Sequence, residues 1–463
     1  MLTQESSQLN LFNFNDFKIS FNKIGFKFID LFSGIGGFRI PLEELGGQCL
    51  GYSEIDKEAI KVYNQNFSII NNEVDLGDIT KITKLPSNID LVVGGVPCQP
   101  WSVAGKLRGF EDPRGKLWFD VIRLLKESNP KAFIFENVKG LSNPKNLASL
   151  EYLVNQLKGI NYEVRWKVIN SYDFGVPQNR ERVFIVGIRN DLINYNKYEF
   201  PDPIAYKPKV VDIIDIKNYK FTDKIKISQS VLFGSQIPRS RNRFQKDDEL
   251  NDFFIFSDLR NGHTTIHSWD LIKTTAKEKN ICFALLKNRR RKKYGFKDGN
   301  PLSFKDFSEL IDNINEQELL VLVEKKIIRK IEINNEIKYD FVNSKNSSGI
   351  NGVYRIFLPS SEMIPTLTAT GAKDFIATKM IFADNPKEYK ELFIKDIYKT
   401  NNFRAITAYD ACKLQGFPDW FRFHSNESIA KKQFGNAVSV PAVYYVAKNL
   451  IEALRGCLEI RRV

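Results

Sequence analysis

The sequence predicts an α/β protein with a Rossmann-like, doubly wound, mostly parallel sheet and a second, smaller and irregular domain. Three observations lead to this fold class. Short apolar runs alternate with amphipathic segments over the first 190 residues, which is typical of parallel strands joined by helices. A glycine-rich turn directly follows the first of these runs. Beyond residue 190 the regular alternation stops, and little clean helical periodicity returns before residue 400.

The individual elements follow from this pattern. Because buried parallel strands appear as continuous apolar runs, strands are predicted at 26–32, 48–53, 89–93, 132–135, 162–169 and 182–188. Apolar residues at helical spacing predict helices from the glycine turn to about residue 45, at 57–66 and at about 116–126. Further helices are predicted at 308–314, 316–329, 407–415 and 438–454.

Length and composition narrow the class of protein. A chain of 463 residues is too long for one ordinary core, so we expect an arm at 1–25, a domain at 26–190 completed by 425–463, and a second domain at 191–424. Five scattered cysteines and three histidines argue against a disulfide framework or a metal site, and they favour a reducing compartment. Because no membrane span or signal peptide is recognisable, we expect a cytoplasmic protein without a membrane partner.

The charge of the chain favours a polyanionic partner. The formal net charge is +13, although the abundance of Lys, Asn, Ile and Phe is also what an AT-rich genome produces. Two basic clusters lie in the second region: Arg239, Arg241 and Arg243, and the run Lys287, Arg289, Arg290, Arg291, Lys292 and Lys293 beside Tyr294 and Phe296. Such clusters are either solvated surface or, in a nucleic-acid enzyme, phosphate contacts.

Cys98 is the most informative residue of the first region. Residues 94–102 read GGVPCQPWS, and they follow the apolar run at 89–93. Pro97 ends that strand because proline has no N–H to donate and a fixed φ. A thiol at the C-terminal end of a parallel strand lies where open α/β sheets bind ligands. A single cysteine is more often a small buried hydrophobe, so the other residues have to decide between these interpretations.

The turn after the first strand predicts a ligand-binding site. Gly34 and Gly36 allow the backbone to approach a ligand closely, and the helix that follows favours a negative group. Arg39 stands where a dinucleotide fingerprint needs its third glycine, which argues against a nicotinamide-dependent oxidoreductase. Glu54 and Asp78 follow at positions suited to binding ribose or adenine, although either acid is also a plausible helix cap.

Further polar residues stand at strand ends. Glu136 ends a buried strand, where a carboxylate is costly unless it is paired. Gln178, Arg180 and Arg182 alternate and therefore share one face of an extended segment. Three such groups suit a phosphate or a buried carboxylate as binding partner. Alternatively, they lie on an exposed edge strand and bind nothing.

Taken in order, these segments resemble a DNA (cytosine-5)-methyltransferase of the bacterial restriction–modification type. The resemblance covers residues 28–39, 53–56, 77–79, 94–106, the helix from Leu117, 136–138, 178–182, 404–418 and 433–441, and residues 365–371 (PTLTATG) are similar to the end of the family's recognition region. The chain departs from the family at Asp410, where a glutamate is usual in the helix after Arg404. We expect this difference to affect packing more than chemistry.

The resemblance implies a methyltransferase fold that takes a methyl group from S-adenosylmethionine, leaves S-adenosylhomocysteine and uses no metal. The implied donor-binding residues are Phe32, Gly34, Gly36, Glu54, Ile55, Asp78, Ile79, Pro97, Leu117 and Asn436. The resemblance also implies that Cys98 is the nucleophile and that Glu136 holds the cytosine. Arg180 and Arg182 would support Cys98 and Glu136. The predicted DNA contacts are Ser102, Lys106, Gln178, Arg239, Arg241, Arg243, Arg290, Thr366 and Thr368.

The implied partner is double-stranded DNA, read by a monomeric enzyme. Residues 26–190 with 425–463 would be the catalytic domain and 191–424 the target-recognition domain. A cognate restriction endonuclease would act on the same site without contacting this chain. Two alternatives are an RNA (tRNA) cytosine-5 methyltransferase and a non-catalytic DNA-binding module on the same scaffold. The long segment at 191–400 favours DNA, and the complete set of expected catalytic side chains argues against a non-catalytic module.

Overall fold

The computed structural model describes residues 25–67, 73–97, 117–193, 195–216, 254–259, 262–296, 299–342, 353, 355–359, 361–369, 374–381 and 386–458. Apart from Gly25, the arm predicted at 1–25 lies outside the described residues. Among the described helices, each is too short or too polar to cross a lipid bilayer.

Strands and helices follow one another along the described residues and are numbered in chain order. The strands are β1 (Phe26–Leu31), β2 (Gly47–Ser53), β3 (Val74–Asp75), β4 (Leu91–Gly95), β5 (Ala132–Val138), β6 (Tyr162–Asn170), β7 (Gln178–Asn179), β8 (Glu181–Arg189), β9 (Phe254–Leu259), β10 (Gly262–His267), β11 (Leu302–Ser303), β12 (Ile328–Ile333), β13 (Glu336–Phe341), β14 (Arg355–Phe357), β15 (Ile364–Pro365), β16 (Asp374–Ala377) and β17 (Phe403–Ala405). The α-helices are α1 (Arg39–Glu44), α2 (Lys57–Asn66), α3 (Leu117–Ser128), α4 (Leu147–Lys158), α5 (Val210–Ile213), α6 (Ser268–Leu271), α7 (Ala276–Asn288), α8 (Phe304–Leu310), α9 (Glu316–Glu324), α10 (Pro386–Leu392), α11 (Ala408–Leu414), α12 (Glu427–Asn436) and α13 (Val440–Ala453).

A seven-stranded sheet forms the centre of the molecule, in the order β3-β2-β1-β4-β5-β8-β6. Strands β1 to β5 run parallel to one another, and β8 runs antiparallel between β5 and β6. The predicted α/β fold with a mostly parallel sheet is therefore confirmed. Because β1 lies between β2 and β4, the winding of the chain reverses there, and open sheets bind ligands at this switch point.

Helices cover both faces of this sheet, as the continuous apolar runs predict. Phe28 and Val93 pack on one face in a cluster with Val443 of α13. Their chain neighbours Ile29 and Val92 pack on the other face, in a cluster that contains side chains of α3 and α4. Consecutive strand residues face opposite sides of the sheet, and both sides are covered by helices. The residues on both sides are therefore apolar, so that apolar and polar residues do not alternate along these strands.

The second region is more regular than the sequence indicates, which corrects the expectation of an irregular domain. Strands β10, β9, β14, β16 and β17 form a five-stranded sheet in that order, and β11, β13 and β12 form a three-stranded sheet. These strands have two to six residues each, and several pair with partners far away in the chain. Neither property leaves a strong periodic signal in the sequence.

Two predicted helices have different bounds in the structure. The helix expected at 308–314 is α8, which begins earlier because Ser303 and Asp306 form a capping box. The helix expected at 316–329 is α9, which ends at Glu324. Lys326 adopts a left-handed conformation (φ 55°) that stops the helix, and β12 begins two residues later.

One hydrophobic cluster joins the two domains. It contains Ile40 and Val62 of the first region, Phe357 and Ile376 of the five-stranded sheet, and Leu414 of α11. The domain boundary expected at residue 424 therefore falls within a continuous core rather than at a break in packing.

Candidate active site

A cavity of about 390 Å³ opens at the carboxyl ends of the parallel strands. Phe32 follows β1, Glu54 follows β2, Pro97 follows β4 and Glu136 lies within β5, and all of them line it. The cavity includes the switch point between β1 and β4. Its lining contains nine of the ten residues predicted to bind the methyl donor: Phe32, Gly34, Glu54, Ile55, Asp78, Ile79, Pro97, Leu117 and Asn436.

Gly36 is the predicted donor-binding residue that does not line the cavity. It has φ +89°, and a Cβ atom at this position would lie 2.2 Å from Cε2 of Phe67. The glycine is therefore required by backbone conformation and by close packing against the residue that follows α2.

The carboxylate of Glu54 fixes the turn after β1. One oxygen accepts a hydrogen bond from the backbone N–H of Gly34 at 2.9 Å, and the other accepts from the N–H groups of Ile55 and Asp56 at 2.7 and 2.9 Å. The side chain of Ile55 is 72 % exposed. The site thus places an oriented carboxylate beside an uncovered apolar side chain.

Asp78 caps the turn that follows it, which is one of the two roles that the sequence allows. It also lines the cavity. Its carboxylate accepts hydrogen bonds from the hydroxyl and the backbone N–H of Thr80, at 2.8 and 3.0 Å. These two bonds, the hydroxyl first, lower the pKa of Asp78 below its ordinary value. The group is therefore a fixed negative charge at this side of the cavity.

Glu136 and Arg182 form an ion pair at the opposite side of the cavity. The Oε1 atom of Glu136 lies 2.9 Å from Nε of Arg182, and both side chains are at most 15 % exposed. Burial raises the pKa of Glu136 above its ordinary value, and the positive charges of Arg182 and Arg180 offset part of this rise. The arrangement gives a carboxyl group of fixed orientation that takes up a proton more readily than an exposed one.

Arg180 joins three separate segments of the chain. Its guanidinium donates to the carbonyl of Leu367 at 3.1 Å and to those of Gly435 and Ala437 at 3.1 and 2.6 Å. Arg180 is 1 % exposed, so these bonds lie in the interior. The structure therefore shows a residue that holds the end of α12, next to Asn436, against the segment after β15.

The sequence did not single out Gly435, although it stands in the segment FGNA. A Cβ atom at Gly435 would lie 2.4 Å from the carbonyl carbon of Thr368 and 2.5 Å from the nitrogen of Ala369. Only glycine lets α12 approach that backbone so closely. A glycine directly before the predicted site residue Asn436 is the signal that could have indicated this contact.

Arg39 stands where a dinucleotide fingerprint needs a glycine, and in the structure it anchors the start of α1. It is 2 % exposed and forms ion pairs with Glu43 at 2.7 Å and with Glu73 at 2.6 Å. Its guanidinium also lies 4.5 Å from the centre of the Phe67 ring. The turn that lines the cavity is therefore followed by a helix held in place through buried charges.

Gln178 does not fit the predicted DNA contact. It is fully buried, its amide nitrogen donates to the carbonyl of Leu414 at 2.8 Å, and its amide oxygen accepts from the N–H of Leu367 at 3.1 Å. Both ends of the side chain thus hydrogen-bond within the protein. Gln178 and Arg180 both hydrogen-bond the backbone of Leu367, which is neither a phosphate nor a buried carboxylate.

The remaining predicted DNA contacts differ in position. Thr366 is half-buried and donates its hydroxyl proton to the carbonyl of Asn179 at 2.7 Å, whereas Thr368 is exposed. Arg290 is half-buried directly after α7. Cys98 and the predicted contacts Ser102, Lys106, Arg239, Arg241 and Arg243 lie outside the described residues. Within the described part of the chain, no cluster of His, Cys, Asp and Glu side chains is arranged to hold a metal ion.

Comparison with known proteins identifies the family. A family model described as C-5 cytosine-specific DNA methylase matches residues 26–452. Type II methyltransferase M.HgiBI of Herpetosiphon aurantiacus is 47 % identical over 427 residues, which is 92 % of this chain and 96 % of that protein. Type II methyltransferase M.BanI of Aneurinibacillus aneurinilyticus is 34 % identical over 442 residues, with the same coverage. The crystal structure of S. pombe Dnmt2 methyltransferase shares the fold with a TM-score of 0.51, at 14 % identity over 93 % of this chain and 99 % of that one. The chain therefore belongs to the C-5 cytosine-specific DNA methylase family, and its activity is methylation of cytosine at carbon 5 in DNA.

Proposed function

We propose that the chain methylates a cytosine that is flipped out of a specific duplex sequence, through a covalent bond between Cys98 and carbon 6. The observation that carries this proposal is the Glu136–Arg182 pair, which lies in the same cavity as Glu54 and Asp78. One side of the cavity thus suits a pyrimidine edge and the other a nucleoside. Several relatives are named Type II methyltransferases, so we also infer a role in protecting host DNA from a restriction endonuclease.

The cavity suits S-adenosylmethionine by the chemistry of its lining. Glu54 and Asp78 are acceptors for ribose hydroxyls and adenine donors, while Phe32 and the uncovered side chain of Ile55 offer apolar contact to the adenine ring. Leu117, Pro97 and Asn436 line the same cavity. When bound, S-adenosylmethionine supplies an electrophilic methyl group on a sulfonium sulfur and leaves as S-adenosylhomocysteine. The scheme uses no metal.

Cys98 accounts for the activation of the cytosine ring. Carbon 5 of cytosine is too weak a nucleophile to accept a methyl group unaided. Addition of a thiolate to carbon 6 creates an enamine whose carbon 5 can attack, and cysteine is suited to this because its thiolate both adds and leaves well. A water molecule then takes the proton from carbon 5, which expels the thiolate, and N3 returns its proton to Glu136, so that the ring is restored.

Glu136 would bind the Watson–Crick edge of the flipped cytosine. Because burial raises its pKa, its carboxyl group is suited to donate a proton to N3 while its other oxygen accepts from the exocyclic amine. Arg182 fixes the orientation of the carboxyl group through the 2.9 Å contact. Protonation at N3 draws electron density from carbon 6 and so favours attack by the thiolate.

The DNA itself has to be opened for this chemistry. A stacked base is out of reach of the thiol, and flipping it costs on the order of a few kcal/mol. We propose that residues 26–190 with 425–463 perform the chemistry while residues 191–424 read the sequence, in a monomer. Ser102 and Lys106 would contact backbone phosphates, and a cognate endonuclease would act on the same site without contacting this chain.

The proposal is tested by replacing the nucleophile. Cys98→Ala should abolish transfer of tritiated methyl groups to duplex DNA yet retain DNA binding, whereas Cys457→Ala is a matched control because that cysteine lies in the C-terminal turn after α13. Normal turnover by Cys98→Ala would contradict the covalent mechanism. Offering tRNA in parallel tests the RNA alternative, and bisulfite sequencing of DNA from expressing cells identifies the methylated sequence.

A further inference from the structure

Residues 268–296 and 299–342 form a small unit inserted between β10 and β14 of the five-stranded sheet. After the short helix α6, its elements follow the order α7, β11, α8, α9 and the hairpin β12–β13, and its sheet has the order β11-β13-β12. A helix-turn-helix followed by a β-hairpin is the topology of a winged helix. The unit has its own core, which includes Trp269, Cys282, Leu322 and Tyr339. It is therefore a compact module added to the second domain.

The helix that would usually read DNA is chemically unsuited to that role here. In a helix-turn-helix the second helix enters the major groove, and that helix is α9 in this module. The sequence of α9 is EQELLVLVE, without Lys or Arg, and Glu316, Gln317 and Glu324 are exposed. Carboxylates on this face would repel phosphates. A contact between this module and DNA therefore has to come from another surface of the module.

The loop after α7 has the opposite character. Arg291 and Lys292 are exposed, and Lys293 is exposed although it pairs with Glu309 at 2.6 Å. Phe296 follows these cations and is 97 % exposed. Burying an aromatic side chain is strongly favourable, so a nearly uncovered phenylalanine beside several cations suggests a surface that a polyanion with apolar groups would cover.

Hydrogen bonds and a buried ion pair hold the start and end of this loop in place. The side-chain amide of Asn300 donates to the carbonyls of Arg289 and Gly295, at 2.9 and 3.2 Å. Arg289 is 2 % exposed, and its guanidinium lies 3.3 Å from the carboxylate of Asp340. Gly299 has φ +117°, and a Cβ atom there would lie 2.2 Å from Nη2 of Arg289. These contacts therefore fix the backbone on either side of the cations and Phe296.

We propose that the module grips duplex DNA through residues 291–296, and not through α9. Phe296 acts as an apolar wedge against a groove, as inserted apolar side chains do in proteins that deform DNA, while Arg291 and Lys292 contact neighbouring phosphates. The occupant is DNA because the loop carries cations around one exposed aromatic side chain, Phe296. The inference rests on the proposed function, which makes duplex DNA the substrate.

The test uses the full chain and a duplex that contains the methylated sequence. Phe296→Ala should weaken binding about ten-fold, as loss of an aromatic contact to a base does, whereas Phe296→Leu should keep most of the affinity because it remains an apolar wedge. Arg291→Ala with Lys292→Ala should reduce the slope of log K against log salt by about two, at roughly 0.9 for each phosphate contact.

Two sets of controls match these variants. Lys126→Ala with Lys158→Ala removes the same charge from exposed positions on α3 and α4, and Gln317→Ala with Glu324→Ala changes exposed positions on α9. Both sets should bind DNA as the unaltered protein does. Unchanged binding by the loop variants, weakened binding by the α9 variants, or a change of oligomeric state in Phe296→Ala on sedimentation would each overturn the proposal. A protein that binds DNA through the loop yet leaves Cys98 unreacted would contradict the proposed mechanism only.

Discussion

Arginine has different roles in the cavity and in the loop after α7. Arg180 is 1 % exposed and donates to three backbone carbonyls, and Arg182 holds Glu136 at 2.9 Å. Arg291, in the loop after α7, is instead exposed to solvent. Charges in the interior are little screened by salt, whereas exposed charges are screened over about 8 Å at physiological ionic strength. Substitutions in the cavity should therefore change stability and chemistry, and substitutions in the loop should change the salt dependence of DNA binding.

The largest effect is expected for Arg180→Ala. The variant leaves the carbonyls of Leu367, Gly435 and Ala437 without these donors in the interior, and each buried unsatisfied group costs about 1–3 kcal/mol. We therefore expect the free energy of unfolding in urea to fall by about 3 kcal/mol or more, and methyl transfer to be lost. Arg180→Lys should not restore either, because one ammonium group cannot reproduce the fork of guanidinium donors.

Arg165 provides the control for this prediction. It also donates to two backbone carbonyls, those of Tyr198 and Asn196, but its side chain is 36 % exposed. Arg165→Ala should cost roughly 1 kcal/mol or less, because water replaces the lost donors. Equal losses of stability in the two variants would remove the distinction between buried and exposed arginines.

Glu136→Gln tests the carboxyl group while keeping its volume. We expect the single-turnover rate constant of methyl transfer to fall roughly 100-fold, as for loss of a positioned acid or base. An unchanged rate constant would show that Glu136 does not take part in activating the cytosine.

The same variant carries a prediction about pH. Because burial raises the pKa of Glu136, the folded state holds a proton that the unfolded chain has already lost, in the interval just above the ordinary value of 4.5. The free energy of unfolding should therefore fall as pH rises through this interval, and it should fall less in Glu136→Gln. Urea titrations from about pH 4 upward measure the difference, and parallel pH profiles for the two proteins would contradict the raised pKa.

Gly435→Ala should have an intermediate effect. The new Cβ atom would overlap the backbone of Thr368 and Ala369, so α12 and the segment after β15 have to separate at a cost of about 1–3 kcal/mol. We expect a lower midpoint in urea together with weaker binding of S-adenosylmethionine, because Asn436 is the next residue. Gly456→Ala is the control, since its Cβ atom would have no neighbour within 4 Å. Equal midpoints for both variants would show that α12 tolerates the separation.

Asp410→Glu should have the smallest effect. Asp410 caps α11 together with Thr407 and accepts two hydrogen bonds from Arg404, at 2.5 and 3.1 Å. Glutamate is the residue that the family usually has here, and it suits a capping box equally well. We expect a change in unfolding free energy below about 1 kcal/mol and unchanged methyl transfer. A substantial loss of kcat would show that Asp410 affects the chemistry as well as the packing.

The sequence predicts those parts of the fold in which a local pattern of residues determines the structure. Continuous apolar runs such as 89–93 belong to central strands, and the residues after them have to line the ligand edge of the sheet. Glu54 and Asp78 therefore lie in the expected cavity. The bounds of α9 were missed because a left-handed Lys326 has no distinctive sequence signal.

The roles that the sequence did not predict depend on contacts between distant segments. Gln178 was expected on a DNA-facing surface, but its partners are Leu414 and Leu367, which lie 236 and 189 residues away in the chain. Gly36 was expected to approach a ligand, but its neighbour is Phe67. The inserted module is recognisable only once β11, β12 and β13 are paired. Pairing over long distances is set by the whole fold, and no local pattern records it.

The covalent step through Cys98 is tested most directly with a trapped intermediate. The full-length protein is incubated with S-adenosylmethionine and a duplex carrying 5-fluorocytosine at the target position, where fluorine cannot leave as a proton does. A denaturant-resistant adduct should form, and peptide mass spectrometry should locate the bond at Cys98. The absence of an adduct, or an adduct through another residue, would contradict the covalent mechanism.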